Sequence, residues 1–232
     1  MKEMNIRNAE KALTITTILT LFAAGFEVFM SCTNYKAGMN IFDIASYSTS
    51  NMNAYCLVLI LINVILLPSA VLLYKQNGIS LMCEITEKKT LIKDVLFGLG
   101  ALAVTLIISL GYAYIYAAGR TDMAFVDNDN SAATTIMKIT ALAFVSGILK
   151  EIYFRGFAKR FAGSVLGETN ALLLFNLMFA MLDWYNFGFS FFAGLVWIFV
   201  YKKTDHLLPG MIAHGGANLA AIIYLLITSG AV

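Results

Sequence analysis

Three charges interrupt an otherwise apolar run between Ser146 and Gly156, which reads S-G-I-L-K-E-I-Y-F-R-G. They are Lys150, Glu151 and Arg155. A charge at the centre of a membrane helix costs about 2.5–3.5 kcal/mol even on insertion scales, so such side chains are usually paired and functional. Glu151 and Arg155 stand four apart with the acid first, the favourable order for an ion pair on one helical face. Lys150 lies about 100° round the helix from Glu151 and needs a partner of its own. Farther along come Phe179 with Asp183, then His214 with Asn218, each pair again four apart and sharing a face. His214 and Asn218 together offer donors suited to a carbonyl oxygen on which negative charge develops. Gly215 and Gly216 beside them allow helices to approach closely. The plainer alternative for His214 is a ring bonded to a neighbouring helix backbone.

The elements that must carry these residues are long apolar helices. The 232 residues are 59% hydrophobic and 13% charged, against about 25% charged in a soluble domain. Seven apolar runs are long enough to span a bilayer or nearly so, at residues 13–30, 54–74, 95–118, 135–154, 170–185, 188–201 and 208–227. The fold expected is an all-α polytopic membrane protein, one domain over 1–232, with a bundle of about seven transmembrane helices. The fifth and sixth runs are short, which points to partial spans or a water-accessible region. Residues 77–90 and 121–133 read as polar connectors outside the core.

Basic residues set the orientation. Lys2, Arg7 and Lys11 precede the first run; Lys75, Lys88, Lys89 and Lys93 follow the second; Arg155, Lys159 and Arg160 follow the fourth; Lys202 and Lys203 follow the sixth. All fall on one side of a seven-span arrangement, so the multi-pass cell-membrane topology expected has a cytoplasmic N-terminus and an external C-terminus.

The composition also limits the chemistry. A net charge of +2 with no basic run argues against nucleic acid. No phosphate or dinucleotide loop is present, so no cofactor is expected. Two histidines, His206 and His214, without H-E-x-x-H or a Cys/His cluster, argue against a metal. Cys32, Cys56 and Cys83 have no paired spacing and read as small hydrophobes. No cleaved signal peptide is expected, since the first apolar run is long and lacks a small-residue cleavage site. His206, beside Asp205, Lys202 and Lys203, reads as a solvated loop residue, and Trp184 with Tyr185 as an interfacial anchor. Glu27, alone in the first run, is either a packing residue or the centre of a solute transporter.

The three motifs together resemble the CPBP membrane proteins, the CAAX proteases and bacteriocin-processing enzymes also called the Abi family. Their pattern is Glu-Glu-x-x-x-Arg, Phe-x-x-x-His and His-x-x-x-Asn. Glu151 and Arg155, followed by Gly156, match the first; Phe179 matches the second; His214 and Asn218 match the third in full. The intervening F-F-A-G-L-V-W-I-F-V-Y-K-K-T-D-H-L-L-P-G-M-I-A-H also resembles the family's approach to its last motif, and the likeness covers residues 142–221. It implies an intramembrane endopeptidase fold whose last four helices form a conical site. The resemblance also implies that in the family the first glutamate and the second-motif histidine activate the attacking water, and that the His/Asn pair stabilises the oxyanion.

This chain departs from that pattern at two positions, both in the water-activating step. Lys150 replaces the first glutamate and Asp183 the histidine. An ammonium is no base unless burial lowers its pKa strongly, and the two replacements are opposite in sign. One expectation is therefore a Lys150–Asp183 ion pair plugging the old water site. Lys150 and Phe179 would then line a pocket that binds a peptide or membrane-protein partner in lipid, as in bacteriocin immunity or membrane regulation. The alternative is an active endopeptidase with Glu151 as base, Asp183 as its water partner, Arg155 holding Glu151 or a substrate carboxylate, and His214 with Asn218 as oxyanion donors.

Overall fold

The computed structural model describes residues 52–118, 131–182 and 188–228, with scattered positions between 10 and 25. Among these residues the regular structure is entirely helical: α1 (Met52–Gln76), α2 (Leu81–Ile85), α3 (Leu91–Ala118), α4 (Ala132–Leu166), α5 (Glu168–Leu182), α6 (Phe189–Thr204) and α7 (Leu208–Thr228). The first apolar run with Glu27, the segment holding Cys32, and Asp183 with Trp184 and Tyr185 lie outside the described residues or among those only sparsely covered. Among the described residues two helices are long and apolar enough by themselves to cross a membrane, Leu91–Tyr112 and Ala132–Leu166. The first turns Ile92, Leu96, Leu99, Ile107 and Leu110 outward, the pattern of a helix that faces lipid rather than water.

Local sequence explains where these helices begin and end. Ser80 and Ser131 cap α2 and α4, their hydroxyls accepting from the N–H of Cys83 and Thr134. Gly167, at φ +80°, ends α4 and lets α5 start at once. Pro209 falls in the first turn of α7, where its missing N–H costs nothing.

α4 corrects the expectation that the fourth helix stops near residue 154. It runs unbroken to Leu166, with π-helical turns over Ile139–Leu149 and Ile152–Ala162 and α-helical geometry only at Lys150 and Glu151 between them. Such wide turns are rare and concentrate at functional sites. Arg155, Lys159 and Arg160 are therefore helix residues and not loop residues. They can stay in the helix because each has a carboxylate: Glu151 for Arg155, Asp205 and Glu168 for Lys159, Glu84 for Arg160.

α7 packs along α3 and the first half of α4, α5 along the second half of α4, and α6 against α3, α5 and α7. The core between them is aromatic: Tyr153, Phe157 and Phe161 stack in turn along α4, flanked by Phe175 of α5.

Two further expectations change. Residues 77–90 are not a mere connector, since Ile79, Leu81 and Ile85 pack on the core and Glu84 is buried. His206 is not solvated: it is buried, with Nδ1 3.0 Å from Asp94. In both cases polar residues near a helix end found partners from elements distant in sequence.

Candidate functional site

Glu151 sits near the middle of α4 and Arg155 one turn on, both essentially without solvent exposure. Oε1 of Glu151 is ion-paired with Arg155, Nη1 lying 3.2 Å away, and hydrogen-bonds His214 Nδ1 at 3.0 Å. A carboxylate in an ion pair only accepts, so the imidazole carries its proton on Nδ1 in this contact. In the neutral ring that leaves Nε2 as an acceptor. The geometry thus differs from two donors facing a substrate carbonyl.

His214 lies about two turns into α7. Trp197 of α6 stacks on its ring, centroids 4.1 Å apart and planes 18° from parallel, while Phe179 meets it edge-on. Trp197 is anchored in turn, its Nε1 donating to Thr105 Oγ1 of α3 at 3.1 Å. Phe179 and Trp197 also face the Arg155 guanidinium, at 4.5 and 5.1 Å, a distance at which a desolvated cation gains from the ring quadrupole. Lys150 is fully buried, with Nζ 5.6 Å from the Phe179 ring centre. The Asp183 half of the expected bridge lies outside the described residues. Asn218 belongs to the same face of α7, but its Nδ2 donates to the Leu142 carbonyl at 2.7 Å. Glu151, Arg155, Phe179 and His214 thus form one cluster, with Lys150 against its phenylalanine and Asn218 bound to backbone at its side.

Several residues of the cluster escape sequence reasoning. Asn176 accepts from Arg155 Nη2 at 3.1 Å through Oδ1 and donates through Nδ2 to the Phe191 carbonyl at 2.9 Å. Its one signal is a lone amide in the apolar stretch of α5, which a buried polar group would need to justify. Gly194 and Gly210 supply space: a Cβ at 194 would lie 1.8 Å from Asn176 Oδ1, and one at 210 would lie 2.8 Å from Glu151 Oε2. Nothing in the sequence marks Trp197 beyond its being an aromatic in an apolar helix. Asn176→Leu removes both bonds and leaves a buried guanidinium edge and a buried carbonyl without them. The expected loss is about 1–3 kcal/mol, read as a lower midpoint of thermal unfolding in detergent; Asn176→Asp, which keeps the acceptor, recovers part of it.

Among the described residues no group of three His, Cys, Asp or Glu side chains could hold a metal ion. The described part of the site offers a carboxylate, an imidazole and two cations among aromatic rings in an all-helical framework. Residues 132–220 match the family model described as type II CAAX prenyl endopeptidase Rce1-like. This stretch is therefore similar to that family, in agreement with the CPBP resemblance carried by the three motifs. The chain has no match among curated proteins and none among solved structures.

Proposed function

We propose that this chain is a multi-pass membrane protein of about seven spans, N-terminus cytoplasmic and C-terminus external, that acts by binding and no longer by proteolysis. Its partner is a peptide or a membrane protein, and its role is bacteriocin immunity or regulation within the membrane. The observation that carries this reading is the double engagement of Glu151 Oε1 by Arg155 and His214. A carboxylate oxygen that faces a guanidinium and accepts from an imidazole N–H has its lone pairs turned to the protein and not to a water. The residues that stabilise an oxyanion in the family have a donor turned inward as well, His214 to Glu151 and Asn218 to Leu142. Lys150 adds a buried cation where the family has its first acid.

One observation favours a second reading. An imidazole that gives Nδ1–H to a buried carboxylate is held as in a nucleophile–His–acid triad, with Nε2 as the basic nitrogen. In that version His214 is the base, Glu151 its orienting acid and Asp183 a water partner.

Cleavage decides between them. Detergent-solubilised protein is incubated with a peptide library that includes prenylated C-terminal peptides, and products are read by mass spectrometry. The binding reading expects silence from the wild type and cleavage after the double change Lys150→Glu with Asp183→His. Cleavage by the wild type that disappears in Glu151→Gln overturns it in favour of the second reading.

A further inference from the structure

Both histidines of the chain place Nδ1 3.0 Å from a buried carboxylate, His214 on Glu151 and His206 on Asp94. The second pair belongs to a polar cluster that neither functional reading uses. At its centre is Glu84 of α2, almost fully buried. Its Oε2 accepts from Arg160 Nε of α4 at 2.7 Å, its Oε1 accepts from the Tyr201 hydroxyl of α6, and its backbone carbonyl accepts from the N–H of Leu207 at 2.9 Å. Asp94, at the start of α3, accepts on Oδ2 from Thr86 at 2.7 Å and Thr90 at 3.1 Å and faces His206 with the same atom. Lys159 of α4 pairs with Asp205. The turn between α6 and α7, residues 205–207, is thereby held by α2, α3 and α4 at once.

That turn sets the register of α7 on α4. Leu207 lies against Gly156, where an added Cβ would be 3.1 Å from Leu207 Cδ1. Three residues on, Gly210 abuts Glu151 Oε2, and one turn later His214 bonds Oε1. A slide of about 1 Å along the α7 axis would break a contact of this kind, because hydrogen bonds weaken steeply with distance. We propose that residues 77–94 are a clamp: Glu84 and Asp94 lock the α6–α7 turn and so hold α7 closed on Glu151. The segment must let go of this turn before a peptide or protein segment can enter between α4 and α7. The clamp concerns the Glu151–His214 contact itself, so it stands or falls separately from whether that contact serves binding or cleavage.

The test exploits the count of two histidines. Full-length protein is labelled with nitrogen-15 at histidine alone, so its imidazole spectrum contains only His206 and His214, and His206→Gln assigns them. Tyr201→Phe and Glu84→Gln lie outside the site and remove clamp bonds with little change of shape. Each is expected to shift the His214 Nδ1 signal and to raise exchange of its proton with solvent by about tenfold or more. Lys89→Ala, which breaks the exposed pair with Glu87, is expected to leave His214 as in the wild type. A lower unfolding midpoint in Tyr201→Phe with an unchanged His214 signal would mean that the cluster is only structural, and the clamp would be ruled out. If Glu84→Gln fails to accumulate, Tyr201→Phe alone decides, since it loses a single hydroxyl.

Discussion

Glu151→Ala is expected to cost about 3–5 kcal/mol of stability, the usual price of stripping one partner from a buried ion pair. Arg155 has no measurable solvent exposure, and its other described contacts include Asn176 and the rings of Phe179 and Trp197, none of which carries a negative charge. An amide oxygen and two quadrupoles do not replace a full negative charge. The variant should therefore accumulate poorly and unfold at a markedly lower temperature, measured by fluorescence-detected size exclusion of heated detergent extracts. Because the cost arises from the lost ion pair, Glu151→Ala with Arg155→Ala should lose less than the two single changes added together, and the double-mutant cycle gives the coupling directly. A loss below about 1 kcal/mol would mean that water reaches the pair, and the argument from an enclosed, fully engaged carboxylate would fail with it.

Gly147→Ala should be nearly as damaging for a different reason. A Cβ on Gly147 would lie 2.5 Å from Gly215 Cα and 2.9 Å from Gly215 N. Those are backbone atoms, so no rotamer change can relieve the overlap and the two helices must separate. Overpacking of this type costs about 1–3 kcal/mol and sometimes more. Separation also pulls α7 from the Leu142 carbonyl that holds Asn218 and from the carboxylate that holds His214. Gly100 and Gly111 on α3 provide the contrast, since a methyl there meets nothing within 4 Å. Alanine at either should be neutral or stabilise by up to about 1 kcal/mol through helix propensity. Equal unfolding midpoints for Gly147→Ala and Gly100→Ala would show that α4 and α7 do not cross there.

Much of the site can be read from the chain itself because helical spacing is a local property. Glu151 with Arg155 needs only four residues of helix to become a pair, and His214 with Asn218 needs only four to share a face. The apolar runs likewise declare α1, α3, α6 and α7 with ends within a few residues of those observed. The type of residue at Lys150 declares a departure from the family's chemistry without any coordinates. What tertiary structure alone decides is which distant groups meet. Arg155, Lys159 and Arg160 read as a helix end because charges normally stop an apolar run; they continue α4 because Glu151, Asp205 and Glu84 neutralise them. His206 reads as solvated because its neighbours are charged, yet Asp94, more than a hundred residues away in sequence, draws it into the protein. Gly194 and Gly210 have no local signature, and Asn176 has only that of an amide in an apolar stretch, since their value lies in atoms contributed by other helices. The donors of His214 and Asn218 face inward for the same reason: their acceptors, Glu151 and the Leu142 carbonyl, are on α4. Sequence specifies the chemical groups through local periodicity, and the packing of α4 against α5 and α7 determines which of them are left for a partner.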